Sequence, residues 1–177
     1  MFHLALFSGT EGVLSPRGGT AFVLFGSAEL RTPTLAQRLV HARERAQSPL
    51  SRMDRLLGRD QWLLITLFGG TNMVRPTLVE ELAALRGLMT SGGVSRAEIQ
   101  GLADASVSPP DLVVGLSTFT LFGACVVARP SAKKEIAAIE RAEKAGEVDQ
   151  RARPLLESLI GQADHSVLRG LSRLALA

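Results

Sequence analysis

Three histidines and one cysteine are the residues of this sequence with the richest chemistry. The histidines are His3, His41 and His165, and none has a second His or a Cys at a spacing typical of a metal site. We therefore interpret them as surface or capping residues. Cys125 lies in the apolar run LFGACVVA. No residue that would activate its thiol can be identified from the sequence, and a thiol in such a run most often packs as a small hydrophobe.

Serines and glycines at turn positions form no recognisable reactive loop. The serines are Ser8, Ser27 and Ser117, and no motif supplies them with a His and an Asp. The glycine pairs are Gly18–Gly19, Gly69–Gly70 and Gly92–Gly93. No Gly-Lys-Ser/Thr follows any pair, and no Gly-x-Gly-x-x-Gly opens a helix after a strand, so we interpret the pairs as turns. The sequence predicts no catalytic residue, no metal ligand and no cofactor, and cofactor-binding residues stay unknown.

Charged residues suggest helix ends and one possible contact surface. The adjacent Glu80 and Glu81 open a predicted helix, where negative charge favours the positive end of the dipole, and Glu135 holds a comparable place later in the chain. A basic cluster lies in residues 38–59. Its members are Arg38, Arg43, Arg45, Arg52, Arg55 and Arg59. Such a run is usually a solvated helix face, and the alternative is a contact with an acidic partner or with anionic lipid head groups.

The sequence pattern of the strands and helices that would position these residues occurs three times in the chain. The apolar runs FVLF, ITLF and FTLF lead into Gly26, Gly69 and Gly123, and a proline follows each glycine at the same distance. These prolines are Pro33, Pro76 and Pro130. Strand-forming residues on both sides of a glycine pair predict a β-hairpin in each copy, although a glycine kink inside one longer strand would give a similar pattern.

Helical periodicity follows each proline. In the second copy Leu78, Leu82, Leu85 and Met89 form one apolar stripe. The first copy has the equivalent stripe, and the third has Ala132, Ile136 and Ile139 before it breaks. A second helix is predicted in each copy, with Ser95 and Glu98 as a capping box in the second and Asp149 as the cap in the third.

The fold class predicted from these patterns is α+β. Three internal repeats of strand-turn-strand-helix-helix are expected, with the strands in one central sheet or small barrel that helical hairpins cover. We expect one domain over 1–177, divided into an abbreviated strand pair at 1–19 and repeats at 20–62, 63–116 and 117–177.

Bulk composition excludes some classes of protein. The net charge is only +3, and the chain has one Trp and no Tyr, so nucleic-acid binding is not expected. No secretory signal is visible, so the cytoplasm is the expected location, with the inner face of the membrane as the alternative. Residues 112–128 are apolar and close to the length of a membrane span, which keeps a membrane-inserted form as one alternative.

Two segments resemble a known family. The run LALFSGTEGVLSPRGGTAFVLFGSAELRT resembles the β-rich domain of the cell-wall-active antibiotic response proteins, the LiaF-like family, and LAALRGLMTSGGVSRAEIQGL is similar to helical hairpins that accompany such domains in bacteria. The resemblance implies a bacterial regulatory or interaction protein associated with the envelope. It implies no catalytic residue.

Three functional hypotheses follow from the sequence. The first is a non-enzymatic regulatory protein, related to the envelope or to stress, that acts through protein contacts and self-association. The second is a protein with a pocket among the strand pairs that binds a small molecule or cofactor, which leaves enzymatic activity open. The third is a membrane-associated protein that inserts residues 112–128.

Overall fold

The computed structural model describes residues 2–7, 10–14, 19–47, 61–104 and 115–177. These residues form α-helices and a parallel β-sheet, so the chain is α+β as predicted. The strands are β1 (Phe2–Phe7), β2 (Thr10–Val13), β3 (Gly19–Arg31), β4 (Gln61–Val74) and β5 (Gly115–Ala128). The helices are α1 (Leu35–Gln47), α2 (Leu78–Thr90), α3 (Arg96–Ala103), α4 (Ala132–Lys144), α5 (Arg153–Leu159) and α6 (Asp164–Leu176).

The sheet is parallel at every described pairing. Its order is β1-β3-β4-β5, and β2 also pairs with β3. The register aligns the three copies residue for residue, with Gly26 opposite Gly69 and Gly69 opposite Gly123. Among the described residues β1 and β5 do not pair with each other, so the sheet is open and the barrel that the sequence allowed is not formed.

The predicted β-hairpins are wrong, because the two halves of each copy belong to one bent strand. In β4 the hydroxyl oxygens of Thr66 and Thr71 are 2.9 Å apart, whereas five residues of straight strand span about 17 Å. In β3 the buried cluster includes both Ala21 and Leu30, from opposite sides of the bend. We call each bent strand an arch, with a first arm before the bend and a second arm after it.

The arms of an arch face each other through side chains, and their backbones pair with the next arch. A hairpin would pair the two arms through their own backbone groups, whereas here β3 pairs with β4 and β4 with β5 along both arms. Strands β1 and β2 pair with the first and second arms of β3 at one constant offset. The alternative that the sequence allowed, a glycine kink inside one longer strand, describes this backbone. A hairpin and a kinked strand share the same sequence pattern, because both place a glycine between two apolar runs.

The described chain divides into two compact units. The sheet unit contains the five strands and α1 from His41 onward, and the helical unit contains α1 up to Val40 and all of α2–α6. The prediction of one domain over 1–177, and of helices that cover the sheet, stays a prediction.

The prolines stand just outside the helices that follow them. Pro76 precedes the N-cap Thr77, and α2 begins at Leu78. Pro33 and Pro130 stand at the same distance before α1 and α4. Each proline lies one residue before the residue that precedes the helix. Their fixed φ therefore restricts the connection into each helix and not the helix itself.

Both helix N-termini in the second copy carry a capping box. Thr77 and Glu80 form a capping box, in which the Glu80 amide donates to the Thr77 hydroxyl and the Thr77 amide donates to the Glu80 carboxylate. Ser95 and Glu98 form the predicted box at α3. Asp149 is not the cap of α5, because its carboxylate accepts from Arg151 N while α5 begins at Arg153.

The apolar stripe predicted for the third copy is rotated. The buried residues of α4 are Glu135, Ala138, Ile139 and Ala142. Ile136, which the sequence placed inside, is exposed. Glu135 takes the inner place instead, where its carboxylate accepts a buried hydrogen bond from Leu78 N.

The final helix α6 was not predicted, although its pattern is helical. Its buried apolar residues are Val167, Leu168, Leu171 and Leu174, which follow a helical period. It contacts α2, α3 and α5. Arg173 Nε donates to Ala103 O at the end of α3, and Arg96 Nη2 donates to Leu176 O at the end of α6. Each arginine thus satisfies a carbonyl at the end of the other helix.

Candidate functional site

Glycine is required at the bend because the arches approach each other closely there. A Cβ built on Gly69 would lie 1.8 Å from Gly26 O, and one built on Gly123 would lie 1.7 Å from Gly69 O. Gly26 and Gly69 also have φ values of 104° and 148°, which disfavour residues with side chains. At the bends the structure shows close stacking of arches and not the hairpin turn that the sequence predicts for Gly26, Gly69 and Gly123.

A phenylalanine stands before each of these glycines, and the rings stack along the sheet. Phe25 and Phe68 have ring centroids 5.2 Å apart and planes within 5°, and Phe68 and Phe122 repeat that separation at 11°. Phe7 aligns with Phe25 in the backbone register. The separation is close to the spacing of neighbouring strands, about 4.8 Å, because in-register strands place identical residues one above another.

The inside of each arch is lined by alternate residues of both arms. Ala21, Val23, Ala28 and Leu30 are buried in β3. The corresponding positions in β4 are Leu64, Thr66, Thr71 and Met73, which are also buried. Thr66 and Thr71 hydrogen-bond to each other across the arch and so satisfy two hydroxyl groups that water does not reach.

The last arch, β5, is open where the inner arches are closed. Val127 aligns with Met73 and Leu30, yet it is 49% exposed, against 5% and 3% for the other two. Phe119 and Leu121 on the outer face of its first arm are each 54% exposed. In the described part of the chain no strand pairs with the outer edge of β5, so half of its backbone groups point away from the sheet.

The two edges of the sheet differ in charge. The β1–β2 edge carries His3 and Glu11. The fourteen residues of β5 include no charged residue and no proline. Edge strands usually carry such residues because these prevent pairing with another chain. β5 thus has the composition of an inner strand at the position of an edge strand.

Cys125 lies inside the last arch at the position of Thr71. It packs against the cluster that contains Leu64 and Met73 and is partly buried. Burial raises the pKa of its thiol. A raised pKa leaves less of the thiol as the reactive thiolate, which agrees with the prediction that Cys125 acts as a small hydrophobe.

Two buried glutamates join helices of different copies in the helical unit. Glu81 Oε2 accepts from Leu35 N at 2.6 Å, at the start of α1. Glu135 Oε2 accepts from Leu78 N at 3.0 Å, at the start of α2. Each carboxylate therefore caps the first helix of the preceding copy. Burial raises the pKa of Glu135 and the nearby Glu80 raises it further, while the hydrogen bond from Leu78 N opposes them.

These two glutamates are the residues whose role the sequence reasoning missed. The sequence indicates only that Glu81 and Glu135 open helices and favour their own helix dipoles. A usable signal was present, since both stand five residues after the proline of their copy. The first copy has Arg38 at that position, and it forms an ion pair with Asp164 at 3.6 Å.

The predicted basic surface is not assembled by the described residues. Arg38 is mostly buried and pairs with Asp164. Arg43 is exposed on α1, and the side chain of Arg45 is not described. Arg52, Arg55 and Arg59 lie outside the described residues, so a contact with an acidic partner or lipid stays a prediction.

The other candidate residues are dispersed. His3 is in β1, His41 lies 4.0 Å from Glu44 on α1, and His165 is exposed on α6. Ser27 is exposed on β3, Ser117 is in β5 and Ser8 lies outside the described residues. Gly69–Gly70 lie in β4 and Gly92–Gly93 follow α2. Within the described ranges no three His, Cys, Asp or Glu side chains are grouped as metal ligands.

The apolar stretch at 112–128 is a strand over the part that the structure describes, since residues 115–128 form β5. Across the described ranges, no helix has the length and apolar character needed to cross a membrane. The LiaF-like resemblance remains a prediction. No family model, curated protein or solved structure matches this chain.

Proposed function

We propose that this chain is a non-enzymatic α+β repeat protein that acts through protein contacts, and that its docking site is the outer edge of β5. The observation that carries the proposal is the exposure of Val127, whose counterparts Leu30 and Met73 are buried. The same register position is an interior one in β3 and β4, and a further strand on the edge of β5 would bury it there too.

The ligand that fits this edge is an extended protein segment. The outward N–H and C=O groups of β5 offer backbone hydrogen bonds, and an added strand would satisfy them. The free face of the Phe122 ring and the open inside of the arch favour apolar side chains at alternate positions of that segment. A regulatory role related to the bacterial envelope rests on the LiaF-like resemblance alone and stays a prediction.

Photo-crosslinking in the producing cell tests the proposal. A benzophenone amino acid replaces Leu121 on the exposed face of β5, and in a matched control it replaces Ile136, an exposed residue of α4. We expect irradiation to give a protein adduct of defined mass from position 121 and none of that mass from position 136. No adduct at 121, or the same adducts at both positions, would contradict the proposal.

A further inference from the structure

We infer that the strand on the outer edge of β5 is β5 of a second copy of this chain, paired antiparallel about a two-fold axis. The inference rests on the proposed function of that edge and names its partner. Three features support it. They are the uncharged composition of β5, the lack of room for a Cβ at the bend, and the change of the outer face of the second arm from charged in β3 to apolar in β5.

The composition of β5 permits pairing with itself. A strand with a charge on its edge repels an identical strand that is brought beside it, and this is a common protection of sheet edges. β5 carries no charge over fourteen residues, from Gly115 to Ala128. Two identical strands can pair antiparallel with both copies in equivalent environments, which is the closed two-fold arrangement that most homodimers use.

The steric rule at the bend argues against open stacking of copies. A Cβ built on the bend glycine of one arch would meet the carbonyl oxygen of the bend glycine in the preceding arch, as a Cβ on Gly123 would meet Gly69 O. A parallel arch on β5 therefore requires glycine over Gly123. A copy stacked head to tail on β5 as a parallel arch must meet this requirement, whereas an antiparallel β5 is not bound by it.

The outer face of the second arm becomes apolar toward β5. In β3 this face carries Glu29 and Arg31. The positions in register are Asn72 and Val74 in β4, and Val126 and Ala128 in β5. The apolar end of this series is the end that lacks a neighbour, as expected of a surface that is covered by another chain.

The bend fixes the register of the pair. Two arches lie flat against each other only where their bends coincide, so Phe122 of one copy stands opposite Gly123 of the other. Leu121 then stands opposite Ala124 of the second copy. Within one copy these two residues lie on the outer faces of different arms, so a covalent link between them reports contact between copies.

Light scattering on the purified full chain tests the inference. We expect twice the chain mass of 18.9 kDa for the unchanged protein, the single-chain mass for Val126→Lys and for Val127→Lys, and twice the chain mass for the control Ile136→Lys. Circular dichroism verifies that each variant is folded. A monomer at every concentration, a concentration-dependent series of larger masses, or a dimer retained by both β5 variants would each overturn the inference.

A disulfide test remains decisive if the lysine variants do not fold. In a Cys125→Ser background, Leu121→Cys with Ala124→Cys should give covalent dimers on mild oxidation, whereas Leu121→Cys with Ile136→Cys should not exceed the trace formed by Leu121→Cys alone. Equal yields would overturn the inference. Its failure is distinguishable from failure of the proposed function, because a monomer whose position 121 crosslinks to a different protein would retain the docking edge and lose only the second copy.

Discussion

The sheet unit and the helical unit join the same three sequence copies by different interactions. In the sheet unit the copies are joined by backbone pairing in register, and the approach is so close that Gly69 and Gly123 have no room for a Cβ. In the helical unit they are joined by single side chains, as when Glu81 reaches the start of α1.

This difference teaches where each unit tolerates change. Backbone pairing is independent of side-chain chemistry but demands small residues at points of contact, so the sheet unit should be sensitive to added volume. A side-chain cap depends on one acceptor, so the helical unit should be sensitive to loss of a carboxylate and indifferent to volume at its surface. Both expectations can be tested with matched substitutions.

The largest expected effect is that of Gly69→Ala. Its Cβ would lie 1.8 Å from Gly26 O, a backbone atom that cannot move without breaking the register, and alanine is strained at a φ of +148°. We expect loss of cooperative folding in a thermal melt followed by circular dichroism.

The matched control for that change is Gly87→Ala on α2. Nothing lies within 4 Å of a Cβ at Gly87, and alanine favours a helix by up to about 1 kcal/mol over glycine. The control should therefore melt at or above the temperature of the unchanged protein. A folded Gly69→Ala protein with unchanged melting would refute the close contact between arches.

The second effect concerns the cap that Glu81 provides. Glu81→Ala removes the acceptor for Leu35 N and leaves a donor unpaired in a buried place, at a cost of about 2 kcal/mol in the free energy of unfolding. Glu81→Gln retains an acceptor oxygen and should cost less. Urea denaturation measures the free energy of unfolding of both variants. Equal decreases for the two would show that the hydrogen bond to Leu35 N does not stabilise the start of α1.

Sequence reasoning reached the positions of the elements better than their pairing. The glycines and prolines marked the bends and helix starts because each limits the backbone locally, and the capping box of Ser95 and Glu98 lies entirely within four residues. Whether two apolar runs pair with each other or with the next copy is decided by contacts far apart in sequence. The bend at Gly69 satisfies the same local pattern either way.

The candidate site was hidden from the sequence for a related reason. β4 and β5 have nearly the same pattern of apolar residues, and no feature of either run says which of them has a neighbour on both sides. The exposure of Val127 becomes visible only when its counterpart Met73 is seen to be buried. The role of Glu135 was likewise concealed, because a charged residue in a helix is ordinarily assigned to the solvent side.

The third effect tests the hydroxyl pair inside the β4 arch. Thr66→Val or Thr71→Val alone leaves one buried hydroxyl without its partner and should destabilise the protein by about 1–2 kcal/mol. The double substitution removes both polar groups, and Val23 already occupies the place aligned with Thr66 in β3. We expect the double variant to be close to the unchanged protein in urea denaturation. Additive losses would contradict a direct hydrogen bond across the arch.

The smallest effect is a pH dependence that Glu135 contributes to stability. Its pKa is raised in the folded protein from an ordinary value of 4.5, mainly by burial. A raised pKa means that the folded state holds the proton more tightly than the unfolded state does, so this contribution is fully present below pH 4.5 and is lost as pH rises through the folded pKa. Glu80 is the charged neighbour that adds to the shift.

Glu135→Gln isolates that contribution. Glutamine retains an acceptor for Leu78 N but does not titrate, and every other titrating group is shared by the two proteins. The free energy of unfolding of the unchanged protein, minus that of the variant, should therefore fall as pH rises from 4.5 and then become constant. Urea denaturation over a series of pH values measures this difference. A difference that rises with pH would mean that the hydrogen bond from Leu78 N outweighs burial, and that the glutamate, like an ordinary cap, favours its charged form.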